Sequence, residues 1–234
     1  MLAQAPPVAR FGPAASLAFA RYIASVQQPN AFTESGPVAV VIQASLPGLY
    51  KQSEVLAVRM PGESGRSQYQ VLQMQGDATV VDEVILPYVS AQQQVEDAPP
   101  MSAAITPANY KFTYVGEVGS GVNAAFVFRI APKKKRGWLI AGQLWIDAAS
   151  GAAVLQAGRV VRPPSTGIRR MELVRDTKLL DGNPCTRITH VAMDTPRLGR
   201  GELTITEYRL ALDGSAAPQF PAWVNHSQTL APLR

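Results

Sequence analysis

Between residues 110 and 210 apolar and polar residues alternate in short runs, each closed by a turn signal, as antiparallel strands require. The runs cover 110–117, 124–132, 143–147 and 152–161, followed by β-type stretches around 168–179, 184–193 and 202–211. A basic corner, Lys133-Lys-Lys-Arg-Gly137, separates the second run from the third. The turn Ala148-Ala-Ser-Gly151 follows the third, and there the Asp147 carboxylate is suited to bond nearby backbone amides. Ahead of this meander, 13–28 reads as a helix, with Pro13 at a first helical position and Leu17, Tyr22 or Ile23, and Val26 at helical spacing. Val38–Leu46 is a β-branched run stopped by Pro47-Gly48. Residues 53–60 and 68–74 form two further strands joined across 61–65; in the first, Val55, Ala57 and Arg59 share one face. Asp77 or Thr79 caps a second helix that carries Val84, Ile85, Tyr88 and Val89 on one face and reaches about Gln94. Pro87 is expected to bend or break it. A Pro-rich linker, 96–107, leads into the meander.

Consecutive strands joined by short turns pair antiparallel, because parallel pairs need long crossovers. The layout therefore predicts an α+β, mainly β fold: a strongly curved antiparallel sheet, a half-barrel or open barrel, with two or so helices on its concave side. Residues 1–12 read as a leader, 13–212 as a single half-barrel domain and 213–234 as a Pro-rich tail that Phe220 and Trp223 can pin to the body.

Composition narrows the function. Hydrophobic residues make up 47% of the 234 and charged ones 17%, enough for a sizeable core. The net charge of +5 comes largely from 133–136 and 159–175, and no aromatic-rich basic motif accompanies it, so no nucleic-acid partner is expected. Cys185 is the single cysteine, which excludes an intrachain disulfide and a cysteine-based metal site. The longest apolar runs are far shorter than the ~20 residues of a transmembrane helix. Ala3-Gln-Ala5 before Pro6-Pro7 resembles the end of an export signal, which places the mature start near Ala5 and the protein in the periplasm. There is no Gly-x-Ser-x-Gly elbow, no phosphate loop and no Gly-x-Gly-x-x-Gly. Glu172, Asp176, Asp181, Glu202 and Glu207 are spread over separate strands, and nothing in their spacing predicts that any two meet. The expectation is a protein that is not an enzyme and uses no cofactor or metal.

One set of positions goes beyond generic strand punctuation. It comprises Pro132-Lys-Lys-Lys, Gly142-Gln-Leu-Trp-Ile-Asp147, Ser150-Gly151, Gly158-Arg-Val-Val and Pro164-Ser165, then Arg175-Asp176, Asp181-Gly182, Pro184 and 201–208. Together they resemble the outer-membrane lipoprotein-sorting superfamily, the LolA/LolB-like half-barrels of the bacterial envelope, over roughly residues 105–210. The resemblance implies an incomplete barrel, closed on one side by helices, whose apolar hollow holds acyl chains of lipoproteins or other lipids.

Two candidate sites follow. Phe126, Phe128 and Ile130 share a face of one strand and Leu144 and Ile146 a face of the next, with Trp138 and Ile140 able to join them. If that face lines a hollow, these side chains contact an acyl chain at ~0.8 kcal/mol per buried methylene; otherwise the same face packs on the helices. Lys133, Lys134, Lys135 and Arg136 form the second site, a corner for an anionic headgroup or simply a solvated turn. The expected function is a periplasmic carrier of a lipid or acylated ligand. The alternative is a non-enzymatic sensing or interaction module that docks on an envelope protein.

Overall fold

A computed structural model describes residues 11–27, 36–61, 67–96, 101–134, 137–163 and 168–209. Ten strands form one antiparallel sheet in the order β3-β2-β1-β10-β9-β8-β7-β6-β5-β4. They are β1 (Val38–Leu46), β2 (Lys51–Pro61), β3 (Ser67–Gly76), β4 (Tyr110–Val118), β5 (Ala125–Pro132), β6 (Ile140–Asp147), β7 (Ala153–Val160), β8 (Arg170–Leu180), β9 (Asn183–Thr195) and β10 (Gly199–Arg209). Neighbours in the sheet are neighbours in the chain, as short turns dictate, with one exception. β1 pairs with β10 from Val38↔Arg209 to Ser45↔Glu202, and this seam welds the first three strands to the meander. The sheet is open, with β3 and β4 at its edges, and it curls into the expected half-barrel.

Specific residues set the curl. Register shifts at Leu56/Ala57, Tyr114/Gly116, Trp145/Ile146 and Lys178/Leu179 add twist at four places. Gly142 and Gly158 face each other across β6 and β7, on the inner side between Ile130 and Leu173. A Cβ on Gly142 would lie 2.6 Å from the Gly158 Cα, and one on Gly158 would lie 2.8 Å from the Ile140 Cγ2. Only side-chain-free residues allow the backbones to close there.

Two helices cover the concave side, each over its own core. Helix α1 (Pro13–Gln27) sets Ala15, Ala18 and Tyr22 against Phe126, Phe128, Ile130, Leu144 and Ile146. Aromatic rings fill that core, with Phe11–Phe128 centroids 5.0 Å apart and Phe19–Phe112 4.9 Å apart. The second helix is continuous through three stretches: Ala78–Val80 α-helical, Val81–Ile85 π-helical and Leu86–Glu96 α-helical. It buries Val80, Val84, Ile85 and Tyr88 against Val40, Ile42, Met171, Val191, Met193 and Leu203. Asp77 is its N-cap, accepting from the Thr79 amide at 2.8 Å. Pro87 does not break the helix. The wide π turn before it, in which the Leu86 N–H donates to the Val81 carbonyl, accommodates a residue that lacks the usual donor.

The segment after the second helix is less of a linker than its prolines imply. Asn109 Nδ2 donates to the carbonyls of Met101 (2.7 Å) and Ala104 (2.9 Å), and the buried Tyr22 hydroxyl donates to the Ile105 carbonyl at 2.9 Å. The leader up to residue 10 and the tail from residue 210 lie outside the described residues. No helix among the described residues is long and apolar enough to cross a membrane.

Candidate functional site

Four strands that run apolar along the inner face each reach polar or charged residues at adjacent levels of the sheet. On β2 the series is Val55, Ala57, Arg59; on β10 it is Leu203, Ile205, Glu207. On β9 Val191 is followed back along the strand by Thr189 and Arg187, and on β8 Leu173 by Arg175 and Thr177. Cross-strand register brings Glu207 opposite Arg187 and Thr189 opposite Arg175, and β1 alone separates Glu207 from Arg59. Each carboxylate oxygen of Glu207 meets a different guanidinium, Arg59 Nη2 at 3.0 Å and Arg187 Nη1 at 3.8 Å. The Arg59 and Glu207 side chains are about nine-tenths buried, at 9% and 10% exposure. Burial brings the Arg187 guanidinium down to about 10; the Arg175 and Arg59 charges act in the same direction and Glu207 opposes them. Burial likewise pushes the Tyr88 phenol above its ordinary value, so its hydroxyl stays protonated; it accepts from Gln92 Nε2 at 2.6 Å and bonds Arg175.

Beside this cluster the two cores part and leave a cavity of about 150 Å³ between the inner face of β7–β9 and the 86–96 helix. Its apolar walls include Ile105, Tyr110, Ile140, Met171, Leu173 and Val191. Its polar groups are Arg175, Gln92, Gln156, the Tyr88 hydroxyl and the Trp138 indole, and no carboxylate is among the lining residues. Arg175 Nε donates to Thr189 Oγ1 at 3.1 Å. The Trp138 Nε1 is buried with no hydrogen-bond partner among the described residues, and its backbone sits in the left-handed region at φ +66. A pocket of about 20 Å³, room for about one water, adjoins Arg59, Tyr69 and Glu207 on the far side of Tyr88 and Gln92. There Arg59 Nε is buried without a partner among the described residues.

A larger trough, about 740 Å³, lies on the outer face over β3, β2, β1 and β10. Its polar lining is largely engaged: Gln43 Nε2 and Gln75 Nε2 donate to the Glu54 carboxylate at 2.8 and 3.2 Å, Ser53 Oγ donates to the Asp77 carbonyl, and Glu202 accepts from Arg200. The inner cavity, small but with donors left over, is the better candidate.

The residues singled out from the sequence divide between these places. Trp138 and Ile140 line the inner cavity. Phe126, Phe128, Ile130, Leu144 and Ile146 are buried in the core under α1, at exposures from 0% to 5%. Lys133 and Lys134 are exposed at the β5–β6 turn, where the Lys133 ammonium donates to the Pro107 carbonyl; Lys135 and Arg136 lie outside the described residues. Asp147 accepts from the Ser150 amide at 2.6 Å, the turn role its position called for. His190 bonds Thr204 at 3.1 Å, and Cys185 donates to the Lys178 carbonyl at 3.4 Å. Among the described residues no three His, Cys, Asp or Glu side chains converge as a metal site. The Arg59–Glu207–Arg187 cluster, Arg175 and the Tyr88–Gln92 pair were not foreseen. Their signal was available: a charge at the end of an otherwise apolar alternation.

No protein-family model and no curated protein matches the chain. Among solved structures it is similar to a LolA superfamily protein from Nitrosomonas europaea, with 12% identity over 86% of this chain and 96% of that one, at a TM-score of 0.32. It is also similar to MucB, with 11% identity, 83% and 92% coverage and a TM-score of 0.26. A third likeness is to a Pseudomonas aeruginosa MucA/MucB complex, with 12% identity, 88% and 99% coverage and a TM-score of 0.26. The open sheet of ten strands with two inner helices, among the described residues, is the fold that the resemblance to the LolA/LolB-like superfamily implied.

Proposed function

We propose that this protein is a non-catalytic periplasmic binding protein that shelters a hydrophobic ligand, a lipid or acyl chain, beneath its curved sheet. The observation that carries the reading is the apolar-walled cavity where the two inner cores part. At about 150 Å³ it is smaller than the ~300–1,000 Å³ of drug-sized sites. As it stands it takes a small ligand or the end of a longer chain, and a whole acyl chain requires the second helix to move off the sheet. Five methylenes at ~0.8 kcal/mol each give ~4 kcal/mol, millimolar affinity from apolar contact alone. Native mass spectrometry of protein isolated from the periplasm, followed by organic extraction, tests the proposal. A bound hydrophobic molecule that is lost in Leu173→Trp, which fills the cavity, is the expected result. Ligand-free protein that also takes up no added acyl compound overturns it.

A second reading, a docking module for an envelope protein, draws on edge strand β3. Val71, Leu72 and Met74 there are 58%, 45% and 59% exposed, and residues 67–76 carry no charge and no proline to protect the edge. A stoichiometric complex that Val71→Lys abolishes favours it; a complex indifferent to that change counts against it.

A further inference from the structure

Three features of the inner cavity have no role in holding an apolar chain. The first is Arg175. It sits midway along the inner face with its Nε on Thr189, while the acid of the neighbouring cluster, Glu207, lies between Arg59 and Arg187. No carboxylate is among the described residues that line this cavity, so Arg175, half-buried and bonded to Thr189 and the Tyr88 hydroxyl, has no counter-charge within it. The second is the Trp138 N–H, a buried donor with no acceptor among the described residues. An unsatisfied buried donor is costly, and one that borders a cavity is satisfied by whatever acceptor enters it. The third is the backbone of Trp138. A bulky residue held in the left-handed region is strained, and strain of this kind persists where the surroundings fix a side chain in place for use. Gln92 and Gln156 add further amide donors to the same wall.

The one charge among the described lining residues is therefore the cation of Arg175, accompanied by the Trp138 N–H; the Tyr88 hydroxyl and the two glutamines both donate and accept, and the rest of the wall is apolar. A guanidinium is a planar fork that matches a carboxylate better than it matches a spherical anion, and one such fork balances one negative charge. The volume, about 150 Å³, is close to that of cavities that hold a single benzene ring.

We infer that the cavity binds a small monocarboxylate with an apolar body, its carboxylate held by Arg175 and the Trp138 N–H and its body lying against Ile140, Met171 and Leu173. The inference rests on the proposed binding function and narrows it to one chemical class. It also moves the anionic contact from the exposed Lys133 corner to the interior of the half-barrel.

The test uses the delipidated full chain, titrated calorimetrically with hexanoate, 1-hexanol and methyl hexanoate. Hexanoate is expected to bind about tenfold or more tighter than either neutral compound, as a charge-assisted hydrogen bond requires. Arg175→Gln should bring hexanoate down to about the level of hexanol, with circular dichroism showing that the variant is folded. Arg175→Lys, which keeps a cation in place, is the second variant and should retain part of the preference. Trp138→Phe should weaken hexanoate more than hexanol. Hexanoate binding no tighter than hexanol, or undiminished in Arg175→Gln, overturns the anion site while leaving the hydrophobic reading intact. Methyl hexanoate binding as tightly as hexanoate also overturns it, and would point to an esterified chain instead. Binding of none of the three compounds overturns both proposals.

Discussion

Replacing Glu207 by Gln removes the one carboxylate that lies between two buried guanidiniums. At an effective dielectric of about 20, its attraction to Arg59 at 3.0 Å is about 5 kcal/mol and to Arg187 at 3.8 Å about 4 kcal/mol. Much of this is cancelled by the desolvation of three charges, so the pair energies are no measure of net stability. What the substitution exposes is the uncompensated state: two cations remain at adjacent levels of the sheet, under the second helix, with a neutral amide between them. Breaking such a buried pair costs about 3–5 kcal/mol, which for a chain of this size lowers the melting temperature by about 6–20 °C. Urea denaturation followed by circular dichroism measures the loss, with the m-value checked for constancy. The triple variant Arg59→Met, Arg187→Met, Glu207→Leu supplies the control. It leaves no buried charge in the trio and should be more stable than Glu207→Gln alone. If Glu207→Gln stays within about 1 kcal/mol of the parent, the guanidiniums are effectively solvated and the reasoning fails.

Three further outcomes are expected. Gly158→Ala places a Cβ against the Ala141 carbonyl and 2.8 Å from the Ile140 Cγ2, and should cost about 1–3 kcal/mol in urea melts; an unchanged midpoint would show that the β6–β7 curl does not need the glycine pair. Phe128→Ala empties a fully buried site at the centre of the aromatic core under α1 and should cost about 3–5 kcal/mol, measured the same way. Asp77 has its carboxyl held below the usual range, chiefly by Lys51 and Thr79, so its contribution is present above the ordinary carboxylate value and fades as pH falls. Asp77→Ala should thus melt below the parent at neutral pH, and the gap should close as the solution is acidified below about pH 4.

Element identity was readable because the periods were clean. The first helix ends one residue from its expected limit, and Val38–Leu46 appears with the boundaries its β-branched run and Pro47-Gly48 define. Pro87 interrupts the α ladder without ending the helix, because the chain widens into a π turn before it. The candidate site was half legible. Alternation assigns Phe126, Phe128 and Leu144 to the inner face, but it cannot say which helix will lie there, and α1 fills that end with rings. The charged cluster was hidden for a different reason. Arg59, Arg175, Arg187 and Glu207 come from four strands: the β8–β9 and β9–β10 registers set Arg175, Arg187 and Glu207 together, and the β1–β10 register, which no local pattern encodes, adds Arg59.

That same β1–β10 seam has a kinetic consequence. Every other pairing joins strands adjacent in the chain and can form as a hairpin, whereas the seam joins positions roughly 170 residues apart, where loop closure is entropically dearest. The meander and the leading three-stranded unit are therefore expected to assemble first as separate intermediates, each with an unpaired β10 or β1 edge. Docking of those two edges completes the fold. It also brings Arg59 to Glu207, so that ion pair is one of the last contacts to form, after the β9–β10 hairpin has already set Glu207 opposite Arg187.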